Sequence, residues 1–152
     1  MSYQNRTGPG WNFAPEYQCS GTPFVTSSNY DEIDNSGVVS VKFPTVTRWV
    51  QIRNIGAKEL RVGFTENGVD GRGGSVSGSA VEAQGNSRNY YIIPTGSLDG
   101  TSTVLWELRC DKLFFTSGES GGTGFSLVAG LTNIRPSEFF KLTGSLGFRG
   151  VG

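Results

Sequence analysis

Histidine is absent from this 152-residue chain, and cysteine occurs only twice. The lack of histidine excludes Ser-His-Asp and Cys-His catalysis, the usual zinc ligand sets and histidine-based metal centres. The two cysteines, Cys19 and Cys110, are too far apart in the chain for a zinc knuckle. We expect both to be free thiols, with Cys110 acting as a small buried hydrophobe within a strand. No metal or other cofactor is therefore expected.

Charge is also scarce, because charged residues make up 17% of the chain and 13 basic residues balance 13 acidic ones. A neutral chain has no overall field that would attract a nucleic acid or a membrane surface, so no nucleic-acid partner is expected. No apolar run approaches the ~20 residues that a membrane helix needs. The polar N-terminus lacks the apolar core of a signal peptide, and we expect no secretory leader.

The chain is rich in glycine, with 23 residues, and in short runs of β-branched and aromatic residues. Gly, Ser, Thr and Asn separate these runs, a pattern typical of an all-β sandwich or barrel. About eight short antiparallel strands in two packed sheets predict a single jelly-roll β-sandwich with extended terminal arms. An immunoglobulin-like sandwich is the nearest competitor, but its Cys…Trp…Cys arrangement is missing. The predicted strands are 24–27, 39–43, 45–55, 59–65, 89–93, two within 104–116, and 125–131.

The densest apolar run extends from Val104 to Thr116. Its first part alternates between apolar and polar residues, and the apolar pattern restarts after the charged pair at 111–112. Period-two alternation favours strand over helix, so we predict two consecutive strands that meet at this pair. We expect Trp106 and Phe115 to lie in the core. The expected surface residues are Glu107 and Arg109.

Both ends of the chain carry aromatic residues without strand periodicity. We therefore predict an N-terminal arm over 1–30, a jelly-roll sandwich over 31–134 and a C-terminal tail over 135–152. A disordered tail would be poorer in aromatic residues. The N-terminal arm is expected either to lay single anchors into grooves of its own domain or a neighbour, or to close the end of the sandwich. The anchors that we select as interface candidates are Trp11, Phe13, Tyr17, Phe139 and Phe140.

Trp49 is a further interface candidate, together with Arg53. Val46, Val50 and Ile52 belong to the opposite face of the predicted strand, so Trp49 should point away from the core, beside Thr47, Gln51 and Arg53. A tryptophan in that position suits stacking on a sugar, burial against another chain, or cover by one of the arms. These three possibilities remain open at this point.

Reactive sites are hard to find in the sequence. Glu107 is the best candidate for a glycosidase carboxylate, but we expect it to face solvent across from Arg109 or Arg53. The loop 118–124 lacks the lysine and the following helix of a phosphate-binding loop, and the stretch 66–89 lacks the spacing of a calcium loop. We predict that the protein is not an enzyme, with no catalytic residue and no small-molecule substrate.

Four segments, taken in order, resemble a known family. They are V-T-R-W-V-Q-I-R-N-I-G, L-R-V-G-F-T-E-N-G-V, L-W-E-L-R-C-D-K-L-F-F and F-S-L-V-A-G-L-T-N-I, which together lie within roughly residues 38 to 134. Their order and spacing are similar to those of the single jelly-roll penton (vertex) and minor capsid proteins of large icosahedral double-stranded DNA viruses of algae and protists. Several relatives carry extra domains in loops where this chain has a long Gly-rich loop, so the position of a smaller accessory capsid protein is also open.

The resemblance implies a structural protein of the virion, made in the host cytoplasm, without catalytic residues. It also implies a homopentamer at the five-fold vertices that contacts major and minor capsid proteins. A cyclic assembly with a head-to-tail interface needs two complementary flanks on each subunit. The alternative hypothesis, which follows from Trp49 and the Gly-rich loops, is a carbohydrate-binding or receptor-attachment β-sandwich module.

Overall fold

A computed structural model describes residues 21–70, 89–95 and 102–139. These residues form two four-stranded antiparallel sheets around a shared apolar core. The predicted all-β sandwich of eight antiparallel strands is confirmed. The strands are β1 Thr22–Ser27, β2 Val39–Lys42, β3 Thr47–Asn54, β4 Leu60–Gly63, β5 Tyr91–Ile93, β6 Thr103–Trp106, β7 Lys112–Ser117 and β8 Phe125–Leu131.

The strands pair in a nested order. β1 pairs with β8, β2 with β7, β3 with β6 and β4 with β5. Two further pairings, β3 with β8 and β4 with β7, complete a first sheet of order β1-β8-β3-β6 and a second sheet of order β2-β7-β4-β5. Every connection except that between β4 and β5 therefore passes from one sheet to the other. The chain behaves as one long hairpin that is folded over on itself.

The core lies between the two sheets. In the first sheet, Val50 and Ile52 of β3 are fully buried beside Ala129 and Leu127 of β8, with which they are in register. In the second sheet, the fully buried Phe115 stacks on Phe125 of the first sheet, with the ring centroids 4.2 Å apart. Burying one large apolar side chain contributes about 1.5–3 kcal/mol, so this interior holds the two sheets together.

The run from Val104 to Thr116 supplies β6 and β7, as predicted, but the two strands belong to different sheets. The crossing between them occupies residues 107–111 and so begins earlier than the charged pair at 111–112. Phe115 is buried in the core as expected. Trp106 packs against the core, also as expected, but it is only half-buried because it lies on the outermost strand of its sheet. Glu107 and Arg109 are exposed, as predicted.

The sandwich begins at Thr22, within the range that the sequence assigned to the N-terminal arm. β1 contains Pro23, yet it pairs along its whole length with β8. Proline is tolerated there because β1 is an edge strand, where one side of the backbone needs no partner within the sheet. Residues 1–20 lie outside the described part of the chain.

Two short helical segments were not expected from the sequence. The helix α1, Glu66–Asp70, follows β4, and a single 3₁₀ turn covers Pro136–Glu138. The hydroxyl of Thr65 accepts a hydrogen bond from the N–H of Gly68 at 3.0 Å, which satisfies one of the free donors at the start of α1. The remainder of the predicted Gly-rich loop, residues 71–88, lies outside the described residues.

A buried polar cluster ties the loops together at one end of the sandwich, here called the upper end. The side-chain amide of Asn54 donates to the carbonyl oxygens of Lys58, Ile93 and Pro94 at 2.7, 3.2 and 2.9 Å. Its carbonyl oxygen accepts from the N–H of Gly56 and the hydroxyl of Thr123, both at 2.9 Å. One side chain thus joins the ends of β3 and β5 to the loop before β8, and it does so without an unsatisfied amide atom.

Candidate functional site

The outer face of the first sheet is the surface that turns away from the core. The strand register places Val25, Val128, Gln51 and Leu105 in one row across this face, from β1 to β6. Val25 and Leu105, at the two ends of the row, are both exposed. This row contains no charged residue and combines apolar and neutral polar side chains.

Trp49 lies on the same outer face, as the sequence predicted from the burial of its neighbour Val50. Its register partner on β8 is Gly130, which has no side chain beside the indole. The pairing between β3 and β8 shifts between Thr47 and Trp49, which marks a local irregularity at the start of β3. Trp49 is half-buried, so part of the indole is open to a partner.

Arg53 is exposed on the outer face and pairs in register with Ser126 on one side and Thr103 on the other. The two ion pairs among the described residues join Lys58 to Glu119 and Arg61 to Glu59, so neither uses Arg53. Its guanidinium is therefore available to an external acidic or polar group. The structure thus brings Trp49 and Arg53 together on one face.

Of the remaining predicted anchors, the structure describes Phe139. Trp11, Phe13, Tyr17 and Phe140 lie outside the described residues. Phe139 is only 9% exposed, because it packs with Val46 and Ile134 in a small apolar cluster of its own chain. A partner would contact little of this ring, and its packing attaches the start of the C-terminal tail to the residue before β3.

Sequence reasoning missed an aromatic cluster at the flank formed by the two outermost strands β5 and β6, here called the β5–β6 flank. The rings of Tyr91 and Trp106 meet edge to face, with centroids 5.5 Å apart, and Phe64 lies 6.0 Å from Trp106. Tyr91 is exposed, and the other two rings are half-buried. The three residues come from separate parts of the sequence, and only the pairing of the strands shows that they meet.

Glu107 is exposed and takes part in neither of the ion pairs found among the described residues. Within ranges 21–70, 89–95 and 102–139, no group of three or more His, Cys, Asp or Glu side chains is arranged to hold a metal ion.

Cys110 is a free cysteine that is fully buried, as expected. Burial raises the pKa of its thiol to about 12, with a smaller upward contribution from Asp111 and a downward one from the hydrogen bond with Thr47. A thiol with this pKa stays protonated at neutral pH. It is therefore a poor nucleophile and packs as a small apolar side chain.

A scan against models of known protein families found no match, and searches of curated proteins and of solved structures found none either. In the part of the chain that the structure describes, no helix is long and apolar enough to cross a membrane.

Proposed function

We propose that this chain is a structural protein of a viral capsid, a penton protein that forms homopentamers at the five-fold vertices of the virion and contacts neighbouring capsid proteins. The observation that carries the proposal is the nested pairing of the eight strands. A jelly roll, an architecture that recurs in capsid proteins, requires one long hairpin folded over itself into two sheets, so this strand pairing supports the proposal.

The segments that carry the family resemblance support the proposal because they coincide with structural elements. They contain β3, β4 and β8 in full, together with the end of β6 and the first part of β7, and so reach all the strands at the centre of the two sheets. A likeness restricted to loops would be weaker support, because loops vary more than the strands that they connect.

The surface chemistry is also better suited to assembly than to catalysis. The described acidic and basic residues form two exposed or half-buried ion pairs with one another and no metal cluster, while large apolar side chains stand exposed on the edge strands. Exposed apolar residues that lie together mark interaction surfaces.

The proposal is tested by locating the protein in purified virus particles. We expect antibodies against this chain to label the vertices, and we expect a reconstruction of the particle to fit five copies of the sandwich around each five-fold axis. Absence of the protein from purified particles would overturn the proposal. Its presence at another position of the capsid would reduce the role to that of an accessory capsid protein.

One observation favours the alternative, a carbohydrate-binding or receptor-attachment module. The half-buried Trp49 lies on an open sheet face with Gln51 and Arg53, a combination that offers stacking and hydrogen bonds to a sugar. Glycan-array binding that is saturable and lost in Trp49→Ala would establish this function. The Gln51→Ala variant serves as a milder comparison on the same face.

A further inference from the structure

The edge strands of this sandwich carry few of the features that normally prevent association. Natural sheets protect their edges with charged side chains, proline or short strands. β1, β5 and β6 contain no charged residue, and β2 has a single one, Lys42, at its end. Pro23 in β1 and the three-residue length of β5 are the protections that these strands offer. The edges are therefore open to contact with another chain.

Exposed apolar side chains concentrate on two opposite flanks. On the β5–β6 flank, Tyr91, Ile92 and Leu105 are 52%, 45% and 59% exposed. Leu105 lies on the outer face of the first sheet and Ile92 on the second sheet, in register with Arg61, and the ring pair of Tyr91 with the half-buried Trp106 joins the two edge strands. Tryptophan and tyrosine at the centre of a patch are typical of residues that dominate binding energy.

The opposite flank consists of the edge strands β1 and β2 and the loop between them, and is here called the β1–β2 flank. Val25 and Tyr30 are each 70% exposed on this flank. Phe24 and Phe43 meet edge to face, with ring centroids 5.2 Å apart, and close the gap between the two sheets. Of the six large exposed hydrophobic residues in the described part of the chain, only Ile55 lies away from both flanks, in the turn after β3.

The charges beside the two flanks are opposite in sign at the upper end of the sandwich. Next to β6 at this end lies Arg53, which pairs in register with Thr103. The loop from β1 to β2 carries the exposed residues Asp31 and Glu32, and it pairs with the upper-end loop before β8 through Ile33 and Thr123. Two copies side by side with their upper ends aligned would bring these charges towards each other.

At the lower end the residue next to β6 carries a negative charge, with the exposed Arg109 two residues further along the chain. Glu107 follows β6, and Lys42 ends β2. Lys42 is exposed and lies directly opposite Lys112 on β7, and like charges in such a cross-strand pair destabilise a sheet. A carboxylate from outside the chain would relieve this repulsion. Glu107 of a second copy is a group of the required sign, and it forms no ion pair among the described residues.

We propose that the β5–β6 flank of one copy packs against the β1–β2 flank of a second copy of this chain, an inference that rests on the proposed capsid role. The contact is head-to-tail, because the two flanks are different surfaces. Each copy keeps one unused flank after the first contact, so the association continues until a ring closes. The apolar flank residues supply the buried area, and the charges at the two ends set the alignment.

The test uses the full chain and two variants that each block one flank, Leu105→Arg and Val25→Arg. We expect the wild-type chain to form a closed oligomer in sedimentation velocity and light scattering. Each variant alone is expected to associate at least about 30-fold more weakly, because it places a charge at the centre of an apolar contact. An equimolar mixture of the two variants is expected to form dimers and nothing larger. The intact β1–β2 flank of Leu105→Arg can bind the intact β5–β6 flank of Val25→Arg, and no other intact flank remains.

The matched control is Ile55→Arg, which introduces the same charge at an exposed apolar residue away from both flanks and should leave association unchanged. Circular dichroism and thermal unfolding of each variant show whether it is folded. A wild-type chain that stays monomeric throughout the concentration range would overturn the proposal. So would oligomers that survive both blocking variants, or a mixture of variants that forms no dimer.

A charge exchange tests the alignment of the copies. Glu107→Lys and Lys42→Glu are each expected to weaken association, whereas the double variant restores it, because the two residues meet across the contact. Failure of the double variant to recover would contradict the proposed alignment. These experiments need no virus, so a head-to-tail oligomer that is absent from virions would refute the capsid role alone. A capsid protein whose copies do not associate through these flanks would refute this inference alone.

Discussion

The hydroxyl oxygen of Thr47 accepts a hydrogen bond of 3.0 Å from the backbone N–H of Cys110, at the point where the chain crosses from the first sheet to the second. The N–H of Thr47 donates in turn to the carbonyl of Cys110 at 2.9 Å, and the carbonyl of Leu108 lies 3.1 Å from the hydroxyl. Thr47 is fully buried. These hydrogen bonds hold the start of β3 against the segment that precedes β7.

Replacing Thr47 with valine keeps the shape of the side chain and removes its oxygen. The N–H of Cys110 would then be buried without this acceptor, and we expect the free energy of unfolding to fall by about 1–3 kcal/mol. Chemical denaturation measures this change. Thr103→Val, at a half-buried position on the outer face, should stay within about 0.5 kcal/mol of the wild type. Equal free energies of unfolding for the two variants would show that the hydrogen bond between Thr47 and Cys110 does not stabilise the fold.

The raised pKa of the Cys110 thiol makes the free energy of unfolding depend on pH. Its pKa rises from 9.0 to about 12 on folding, so above pH 9 the unfolded chain holds fewer protons at this residue than the folded chain does. Its contribution to stability is complete below pH 9 and is lost as the pH rises towards 12, by about 1.4 kcal/mol per pH unit. Other groups also titrate in this range. The measurement is therefore the difference between wild type and Cys110→Ala, and parallel pH profiles would contradict the prediction.

The amide of Asn54 cannot be replaced by a carboxylate. Asn54→Asp would turn three donated hydrogen bonds into contacts between a buried carboxylate and three carbonyl oxygens. We expect a loss of at least about 3 kcal/mol at neutral pH, in part recovered at acidic pH when the carboxyl group is protonated. Thermal unfolding at pH 4 and pH 7 tests both parts of this prediction. Asn133→Asp, at an exposed position, is the matched control and should change little.

Gly56 is required by close packing at the upper end of the sandwich. A β-carbon at this position would overlap the side chain and backbone of Thr123. Gly56→Ala should therefore lower the free energy of unfolding by several times the effect of Gly37→Ala, because a β-carbon at Gly37 meets open space. Denaturant unfolding of the pair gives the comparison. Similar values would mean that the loop around Thr123 can move aside at little cost.

Much of the local structure could be predicted from residue patterns. The alternation in β3, β4 and β8 indicates strands because successive side chains in a strand point to opposite faces, and burial of one face of each follows. The same alternation correctly placed Trp49 on the outer face. Composition also predicted the burial of Cys110, since a neutral thiol behaves as a small apolar group.

The candidate surfaces could be predicted only in part. Sequence reasoning selected Trp49 and Arg53, which lie on one strand, but it assigned Trp106 to the core and did not select Tyr91. Both belong to edge strands, whose side chains have a neighbouring strand on one side only. Edge and central strands have similar residue patterns in this sequence. The burial of their side chains differs because it depends on whether a strand lies on one side or on both sides.

The sequence by itself determined that this protein is a β-sandwich of short strands with an apolar interior, because period-two patterns and turn residues act over a few neighbouring positions. The tertiary structure decided which strands are neighbours. Thr22 pairs with Leu131 near the other end of the sandwich sequence, and Thr47 meets Cys110, which is 63 residues further along the chain. These long-range contacts form because one arrangement of the strands buries all their apolar faces together. That arrangement depends on the whole chain and not on any short segment of it. The arrangement of the strands also determines which aromatic side chains lie on the two flanks.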